Sequence, residues 1–348
     1  MYRNYFKKYG AKLIKNKKIL ITGAGGFIGG HLSKVLKKQN FVICADIKPL
    51  KYWFQIFKEN KNIAVDLKDY KNCLKITKNV DFVFNMACNM GGMGFIENNK
   101  AECMLSVLIN TNLLRSCIER KVKKYFFSSS ACAYNTSKQQ KTFVSGLKEE
   151  DAYPAFPEDG YGWEKLFSER MCRHFTEDYG LETRVARYHN IYGPLGTYDG
   201  GREKAPAALC RKIALAKIKK NYLIDVWGDG RQTRSFLYID DCLEATLKLF
   251  NSNYKNPVNI GSDEQVSINQ MIKIIQDYAG ISKLNKNYQL DKPKGVRGRS
   301  SDNTLIKKVL NWEYKYTLKD GLKKTYDWIF CELKSNSPKS NKFRISKI

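Results

Sequence analysis

The apolar residues in the first half of the chain form short runs that alternate with amphipathic stretches. Runs that are apolar on both faces are typical of parallel strands covered by helices. We place such strands at Lys18–Thr22, Phe41–Ala45, Asp81–Asn85, Tyr125–Ser129 and Thr183–Arg187. Because helical periodicity separates them, the pattern predicts an α/β fold, a doubly wound parallel sheet of the Rossmann type, over residues 18–188.

The pattern becomes irregular from residue 189 onward. A glycine-containing loop over Tyr192–Gly201 leads into a predicted helix at Ala205–Ala216. Further short elements follow: strands near Asp225–Trp227, Ser235–Tyr238 and Pro257–Ile260, and helices near Ile268–Tyr278 and Leu318–Cys331. We expect residues 189–333 to form mainly a smaller α/β substrate-binding region, with some segments returning to the Rossmann core.

Composition narrows the class of protein. Hydrophobic residues make up 43% of the 348 residues, as in a folded enzyme. The sequence has no apolar run of about 18 residues, so no membrane span is expected, and the N-terminal segment lacks the apolar stretch of a signal peptide. The ten cysteines have no metal-binding spacing and the histidines number three. Reduced thiols, a cytoplasmic location and no metal site are therefore predicted.

The formal net charge is +27, and basic residues are dense at both ends. Residues 1–17 read as a basic N-terminal extension, and residues 334–348 as a basic, disordered tail. Such a positive charge is compatible with binding of nucleic acid. No nucleic-acid-binding motif accompanies it, so solvated tails are the favoured interpretation, and a basic enzyme also suits an anionic substrate.

A glycine-rich turn follows the first predicted strand and opens a helix. Its backbone N–H groups suit a pyrophosphate, and the residues proposed to bind it are Gly23, Gly25, Gly26, Phe27, Ile28 and Gly29. Asp46 ends the next strand, where a carboxylate accepts the ribose hydroxyls and repels a 2′-phosphate. NAD is therefore the predicted cofactor, rather than NADP. Asp66 and Leu67 are candidates for contact with the adenine.

A tyrosine and a lysine, Tyr161 and Lys165, are spaced to lie on one face of a helix. A lysine beside a phenol lowers the tyrosine pKa and suits the tyrosine as a base, and it can also hold the nicotinamide ribose. Ser128, Ser129 and Ser130 end a buried strand, where a hydroxyl can polarise a substrate oxygen. This ordered set is the signature of the short-chain dehydrogenase/reductase superfamily.

Several longer motifs sharpen the resemblance. They are Met90–Ile96, Ser129–Cys132, Arg187–Pro194, Gly200–Pro206, Trp227–Gly230 with Gln232–Phe236, and Gly295–Arg299. Through them, roughly residues 18–330 resemble the GDP-mannose 3,5-epimerase family. That family would convert GDP-mannose to GDP-L-galactose, GDP-L-gulose or both, by transient oxidation at C4 with NAD, proton exchange at C3 and C5, and re-reduction.

The resemblance implies roles for individual residues. Cys132 and Lys204 would be the acid/base pair, joining Tyr161, Lys165 and Ser130 as catalytic residues. Substrate contacts are implied for Gly91, Gly92, Met93, Ser130, Ala131, Cys132, Asn190, Glu203, Lys204, Ala205, Lys212, Gln232, Thr233, Arg234 and Arg299. His189 is interpreted as a packing residue. The resemblance also implies a homodimer formed by helices flanking the sheet, including the one that carries Tyr161.

The sequence leaves several alternative functions open. A GDP-4-keto-6-deoxymannose 3,5-epimerase/4-reductase also uses a cysteine, but it takes NADPH and pairs the cysteine with a histidine. A sugar 4,6-dehydratase would place an acidic pair where Ala131 and Cys132 stand. The sugar could instead be another GDP-hexose or a heptose. A non-catalytic NAD-binding or nucleic-acid-binding protein would not need Tyr161, Lys165, Cys132 and Lys204 together.

Overall fold

The computed structural model describes residues 14–335. Its strands are β1 Lys18–Thr22, β2 Phe41–Asp46, β3 Lys61–Ala64, β4 Phe82–Asn85, β5 Lys124–Ser130, β6 Glu182–Tyr188, β7 Ile191–Tyr192, β8 Leu223–Trp227, β9 Thr233–Ser235, β10 Leu237–Tyr238, β11 Val258–Ile260, β12 Gln265–Ser267, β13 Asn285–Gln289 and β14 Gly298–Arg299. Its helices are α1 Phe27–Leu36, α2 Tyr70–Ile76, α3 Met93–Asn98, α4 Lys100–Met104, α5 Ser106–Glu119, α6 Asp159–Tyr179, α7 Ala205–Lys219, α8 Ile239–Asn251, α9 Ile268–Tyr278, α10 Thr304–Leu310 and α11 Leu318–Lys334.

Seven strands form one parallel sheet in the order β3-β2-β1-β4-β5-β6-β11. The chain order reverses between β1 and β4, and ligands of such sheets bind in the crevice beyond the carboxyl ends of the strands at that point. The predicted Rossmann-type fold is confirmed. Each of the five strands predicted from apolar runs is present, within one residue at either end.

Alternate residues of the central strands face two separate cores. In β1, Ile19 and Ile21 pack in a cluster with residues of α1 and α8, whereas Leu20 packs with residues of α5 and α6 on the opposite face. Both faces of the sheet are therefore covered. This burial explains why the strands read as continuous apolar runs rather than as alternating patterns.

Two sequence expectations need correction. The single strand predicted at Ser235–Tyr238 is two strands, because β9 lies between β12 and β14 while β10 pairs with β7. Strand β3, which lies just before Asp66, has only a weak β-like signal in the sequence and was given no predicted bounds. It lies at the sheet edge, and its four residues are exposed or half-buried, so its sequence carries no strong apolar signal.

Residues beyond β6 build the second part of the molecule around α7, α9 and α11, which pack against one another. The β8–β13 pair and the β12-β9-β14 sheet lie in this part, while β11 joins the main sheet beside β6. No helix of residues 14–335 has the length and apolar character needed to cross a membrane. The predicted tails at 1–17 and 334–348 lie mostly outside the described residues.

Candidate active site

The turn after β1 is shaped by glycines that a side chain would disrupt. Gly23 has φ +65°, and a Cβ there would lie 2.6 Å from the Met86 carbonyl oxygen. A Cβ on Gly29 would lie 2.4 Å from the Gly23 carbonyl oxygen. Gly26 is the N-cap of α1 and supplies no side-chain cap, so the first-turn N–H groups are open to an anion.

Gly25 is required by a residue that sequence reasoning missed. The buried Trp53 packs so closely that a Cβ on Gly25 would meet its indole at 2.5 Å. The Trp53 indole N–H donates to the Lys48 carbonyl at 2.8 Å, and Lys48 Nζ donates to the Gly25 carbonyl at 2.6 Å. Lys48 and Trp53, which follow β2, thus hold the glycine turn in place.

Asp46 lies where the sequence placed it, buried at the carboxyl end of β2. Its Oδ1 accepts a hydrogen bond from the Lys48 backbone N–H at 3.0 Å. Burial raises the pKa of Asp46, and Lys48 opposes that effect. Asp46 lines a cavity of about 320 Å³ together with Gly23, Gly26, Phe27, Ile28, Gly29, Asp66 and Leu67.

These features fit the predicted dinucleotide. The turn has space only for glycine, the helix N-terminus is uncapped by side chains, and a carboxylate stands at the end of the neighbouring strand. Such an arrangement holds a pyrophosphate and a ribose.

Tyr161 and Ser130 line the same cavity. Tyr161 lies in the first turn of α6, which packs so tightly on the turn after β5 that a Cβ on Gly162 would lie 2.3 Å from the Cys132 carbonyl oxygen. The hydroxyls of Ser128 and Ser129 bond to Asn85 and Glu169. Ser130 Oγ instead accepts from the Cys132 backbone N–H at 3.2 Å.

Lys165 lies behind Tyr161 rather than on the cavity surface. It is 1% exposed, and its Nζ is 3.5 Å from Glu164 Oε2 and 4.7 Å from the centroid of the Phe127 ring. Burial works against its charge, yet Cys88 and the Glu164 carboxylate raise the Lys165 pKa above its usual value. The lysine is therefore held as a buried cation.

The Tyr161 pKa is raised, whereas the sequence predicted that it would be lowered. Burial raises it well above the usual value, Cys88 and Cys132 raise it further, and the hydrogen bond with Ser130 lowers it. Lys165 Nζ faces the Tyr161 ring, 5.6 Å from its centroid. In this geometry, the desolvation of the phenol is the dominant effect on the Tyr161 pKa.

Cys132 packs in one cluster with Tyr161, Ile96 and Cys103, and it is 8% exposed. Its Sγ lies 3.5 Å from Arg299 Nη1. Burial raises the pKa of the Cys132 thiol, Glu158 raises it further, and Arg299 lowers it. Cys132 and Arg299, which belong to motifs far apart in sequence, are thus brought into contact.

Lys204 is the N-cap residue of α7 and lines the cavity with Tyr161 and Ser130. It is half-buried, and burial lowers its pKa while Cys132 and Cys88 oppose that effect. The two lysines of the site therefore differ in the direction of their pKa shifts: the Lys165 pKa is raised and the Lys204 pKa is lowered.

Arg202 joins two motifs that sequence analysis listed separately. Its Nη1 donates to Asn89 Oδ1 at 2.9 Å and to the Met90 carbonyl at 3.1 Å, and its guanidinium lies 3.7 Å from the centroid of the Phe95 ring. Gly92 N–H donates to the Arg202 carbonyl at 3.1 Å. The glycine loop before α3 is thereby held against the loop that carries Lys204.

Close contacts with neighbouring atoms explain why residues 91 and 92 of this loop are glycines. A Cβ on Gly92 would lie 2.4 Å from the Glu203 carbonyl oxygen, and one on Gly91 would lie 2.7 Å from Phe95 Cβ. Met93 begins α3 beside Gly295, whose Cβ position would lie 3.0 Å from Met93 Cε. Ala131 lies in the turn after β5, and Ala205 is the first residue of α7.

The polar substrate candidates lie on several segments. Arg234 pairs in register with Arg299 across β9 and β14, and burial together with Arg299 lowers its pKa to about 10. Gln232 Nε2 donates to the Trp227 carbonyl at 2.9 Å, and its buried Oε1 has no partner within residues 14–335. Lys212 Nζ donates to the Asp225 carbonyl at 2.7 Å.

Other predicted residues make internal contacts. Glu203 Oε2 accepts from the Gly201 N–H at 2.7 Å, and Thr233 Oγ1 donates to the Thr142 carbonyl. Asn190 has φ +46°, and its side-chain amide donates to the Ser235 carbonyl at 3.0 Å. His189 is fully buried, with Nε2 2.8 Å from Asn259 Oδ1, and burial lowers its pKa to about 3.

The chain is similar to proteins of one known family. The model of the NAD dependent epimerase/dehydratase family matches residues 19–261. GDP-mannose 3,5-epimerase 1 of Oryza sativa subsp. indica is 49% identical over 314 residues, covering 90% of this chain and 81% of the relative. GDP-mannose 3,5-epimerase of Arabidopsis thaliana is 45% identical over 329 residues, covering 94% and 86%. The structure of UDP-glucuronic acid 4-epimerase from Bacillus cereus, in complex with UDP-glucuronic acid and NAD, superposes with a TM-score of 0.76 at 25% identity, covering 90% of this chain and 98% of that one.

Proposed function

The chain belongs to the GDP-mannose 3,5-epimerases of the NAD dependent epimerase/dehydratase family and is an NAD-dependent nucleotide-sugar epimerase, and we propose that its substrate is GDP-mannose. The resemblance inferred from the motifs is thereby confirmed. The products proposed are GDP-L-galactose, GDP-L-gulose or both. In this proposal residues 18–188 bind NAD and residues 189–333 mainly bind the substrate.

One observation carries the proposal. Cys132 packs against Tyr161, and Lys204 lines the same cavity as Tyr161 and Ser130. An enzyme that only oxidises and re-reduces C4 needs the tyrosine and the serine. Exchange of protons at neighbouring carbons needs further acid and base groups, and the thiol and amine supply them.

Tyr161 accepts the proton of the sugar 4-hydroxyl, and Ser130 donates a hydrogen bond to the same oxygen. The glycine turn after β1 and Asp46 would hold NAD, which would supply the hydride acceptor for C4. The buried ammonium of Lys165 faces the Tyr161 ring and keeps positive charge near the forming phenolate. These contributions act against the desolvation that raises the Tyr161 pKa.

A ketone at C4 acidifies the hydrogens at C3 and C5. Cys132 and Lys204 act on opposite faces of the sugar, one group removing a proton and the other returning one. Lys204 suits the role of a base because burial lowers its pKa, so that its neutral form becomes accessible. Arg234 and Arg299 bind the diphosphate or the guanosine, where a guanidinium matches phosphate oxygens.

An exposed apolar face supports the homodimer. Trp163 and Phe167 lie one turn apart on α6 and are 45% and 56% exposed, and Met104 and Leu108 are exposed on the neighbouring segment at the end of α4 and the start of α5. Large apolar side chains exposed on neighbouring helices are typical of an interaction site. Phe167→Glu should produce monomers in sedimentation experiments. Phe143→Glu, at a site 65% exposed elsewhere, should not; a monomeric wild-type protein would remove this part of the proposal.

The substrate is tested by incubating the purified protein with GDP-mannose and NAD, then identifying the nucleotide sugars by chromatography and NMR. Formation of GDP-L-galactose or GDP-L-gulose supports the proposal. Consumption of GDP-4-keto-6-deoxymannose with NADPH, and no change in GDP-mannose, would favour the reductase alternative.

The ten cysteines are all free, which supports a reducing compartment such as the cytoplasm as the location of the protein.

A further inference from the structure

A carboxylate that belongs to none of the motifs lies next to Cys132. Glu158 is the N-cap residue of α6 and is 8% exposed. Its backbone N–H donates to the Cys132 carbonyl at 2.9 Å, and its own carbonyl accepts from the Gly162 N–H at 2.9 Å. The start of the helix that carries Tyr161 is therefore tied to the turn that carries Cys132.

Arg299 connects this carboxylate to the thiol. Its Nη2 donates to Glu158 Oε2 at 2.7 Å, and its Nε donates to Gln139 Oε1 at 2.6 Å. With two of its nitrogens anchored, the plane of the guanidinium is fixed. The remaining Nη1 is thereby held 3.5 Å from Cys132 Sγ.

We propose that Glu158 is a positioning residue that holds Arg299 against Cys132 and balances its charge, so that the thiol can both give and take a proton. This inference rests on the proposed acid/base role of Cys132. A guanidinium alone would favour the thiolate, and a permanently anionic sulfur would not return a proton to carbon. The carboxylate beside it opposes that bias.

The neighbouring charges agree with this assignment. Burial works against the charge of Glu158, but Arg299 holds the pKa of that carboxyl below its usual range, so Glu158 is an anion. The Glu158 carboxylate also interacts directly with the Cys132 thiol, and this contact lowers the pKa of that carboxyl further. Cys132 in turn influences the pKa values of titratable or charged groups on other elements, namely Arg234 on β9, Lys204 before α7, Tyr161 on α6 and Cys103 on α4.

The test measures the charge state of Cys132 directly. The rate at which iodoacetamide alkylates Cys132 is followed against pH in the full-length protein saturated with NAD, by mass spectrometry of the Cys132 peptide. Glu158→Gln keeps an acceptor for Arg299 but removes the negative charge, so the midpoint should fall by about one pH unit or more. Glu158→Ala also releases Arg299, so its midpoint should lie above that of Glu158→Gln.

Asp229→Asn is the matched control, because it removes the carboxylate paired with Arg297 at 2.9 Å, two residues before Arg299. Its midpoint should equal that of the wild type. Ultraviolet absorbance of the thiolate, taken as the difference between each protein and its Cys132→Ser counterpart, gives the same midpoint if alkylation is slow. A Glu158→Gln midpoint equal to the wild-type value overturns the proposal. Because alkylation needs no turnover, an inactive protein with a shifted midpoint would count against the epimerase assignment and leave the role of Glu158 intact.

Discussion

The two lysines of the site are built into different surroundings. Lys165 lies within α6, one helical turn after Tyr161, and it has the carboxylate of Glu164 3.5 Å from its ammonium. Lys204 lies at the start of α7, in a loop held by Arg202, and burial lowers its pKa. A buried lysine with a carboxylate partner stays charged, whereas desolvation favours the neutral amine.

This difference separates the two halves of the proposed chemistry. The Tyr161–Lys165 region provides fixed positive charge beside a phenol, which suits oxidation and reduction at C4. The Cys132–Lys204 region provides a thiol and an amine that can change protonation, which suits exchange at carbon. Substitutions in the first region should therefore stop every step, and those in the second should stop exchange alone.

Tyr161→Phe should have the largest effect, because no other step proceeds without removal of the 4-hydroxyl proton. We expect turnover of GDP-mannose to fall by about 10⁴-fold, measured by chromatography of the nucleotide sugars. Tyr179→Phe changes a tyrosine on the same helix that is 61% exposed, and it should retain wild-type turnover. Wild-type turnover in Tyr161→Phe would show that another group is the base.

Cys132→Ala and Lys204→Ala should each slow exchange of solvent deuterium into the sugar by about 10²- to 10⁴-fold. Both variants should still bind NAD and the GDP-sugar in calorimetric titrations, because the cofactor cradle is intact. Cys331→Ala and Lys219→Ala, at exposed positions, are the controls. Exchange at the wild-type rate in both active-site variants would contradict the division between the two regions.

Asp46→Ala should reduce the ratio of NAD affinity to NADP affinity by about 10-fold or more. The substitution removes the carboxylate that accepts hydrogen bonds from the ribose hydroxyls and repels a 2′-phosphate. Direct binding titrations of both cofactors measure the change. Asp291→Asn, at a side chain 71% exposed, should leave the ratio unchanged. Equal wild-type affinity for the two cofactors would show that Asp46 does not select between them.

Glu164→Gln should have the smallest effect. The pKa of Lys165 is raised in the folded enzyme, so the charged form is present below that pKa and is lost as pH rises through it. Removing the carboxylate lowers this pKa, and the alkaline fall in turnover should move to lower pH by about one unit. An unchanged alkaline limb would mean that Glu164 does not support the charge of Lys165.

The sequence predicted the cofactor end of the molecule more fully than the substrate end. Glycine at position 23 and the spacing of Tyr161 and Lys165 report local backbone and helix geometry, so a single segment carries each signal. Cys132, Lys204 and Arg299 come from separate segments, and their proximity depends on the tertiary fold. Arg202 was named only within a motif and Glu158 in none, because the contacts of an arginine or a carboxylate in a loop depend on partners that the fold brings close.

The pattern of deuterium in the sugar after incubation of GDP-mannose with the enzyme and NAD in D₂O tests the central claim most directly. NMR of the recovered nucleotide sugar assigns deuterium to individual carbons. We predict deuterium at C5, or at C3 and C5, with hydrogen retained at C4. Inversion at C4 alone, without solvent deuterium at C3 or C5, would contradict the account.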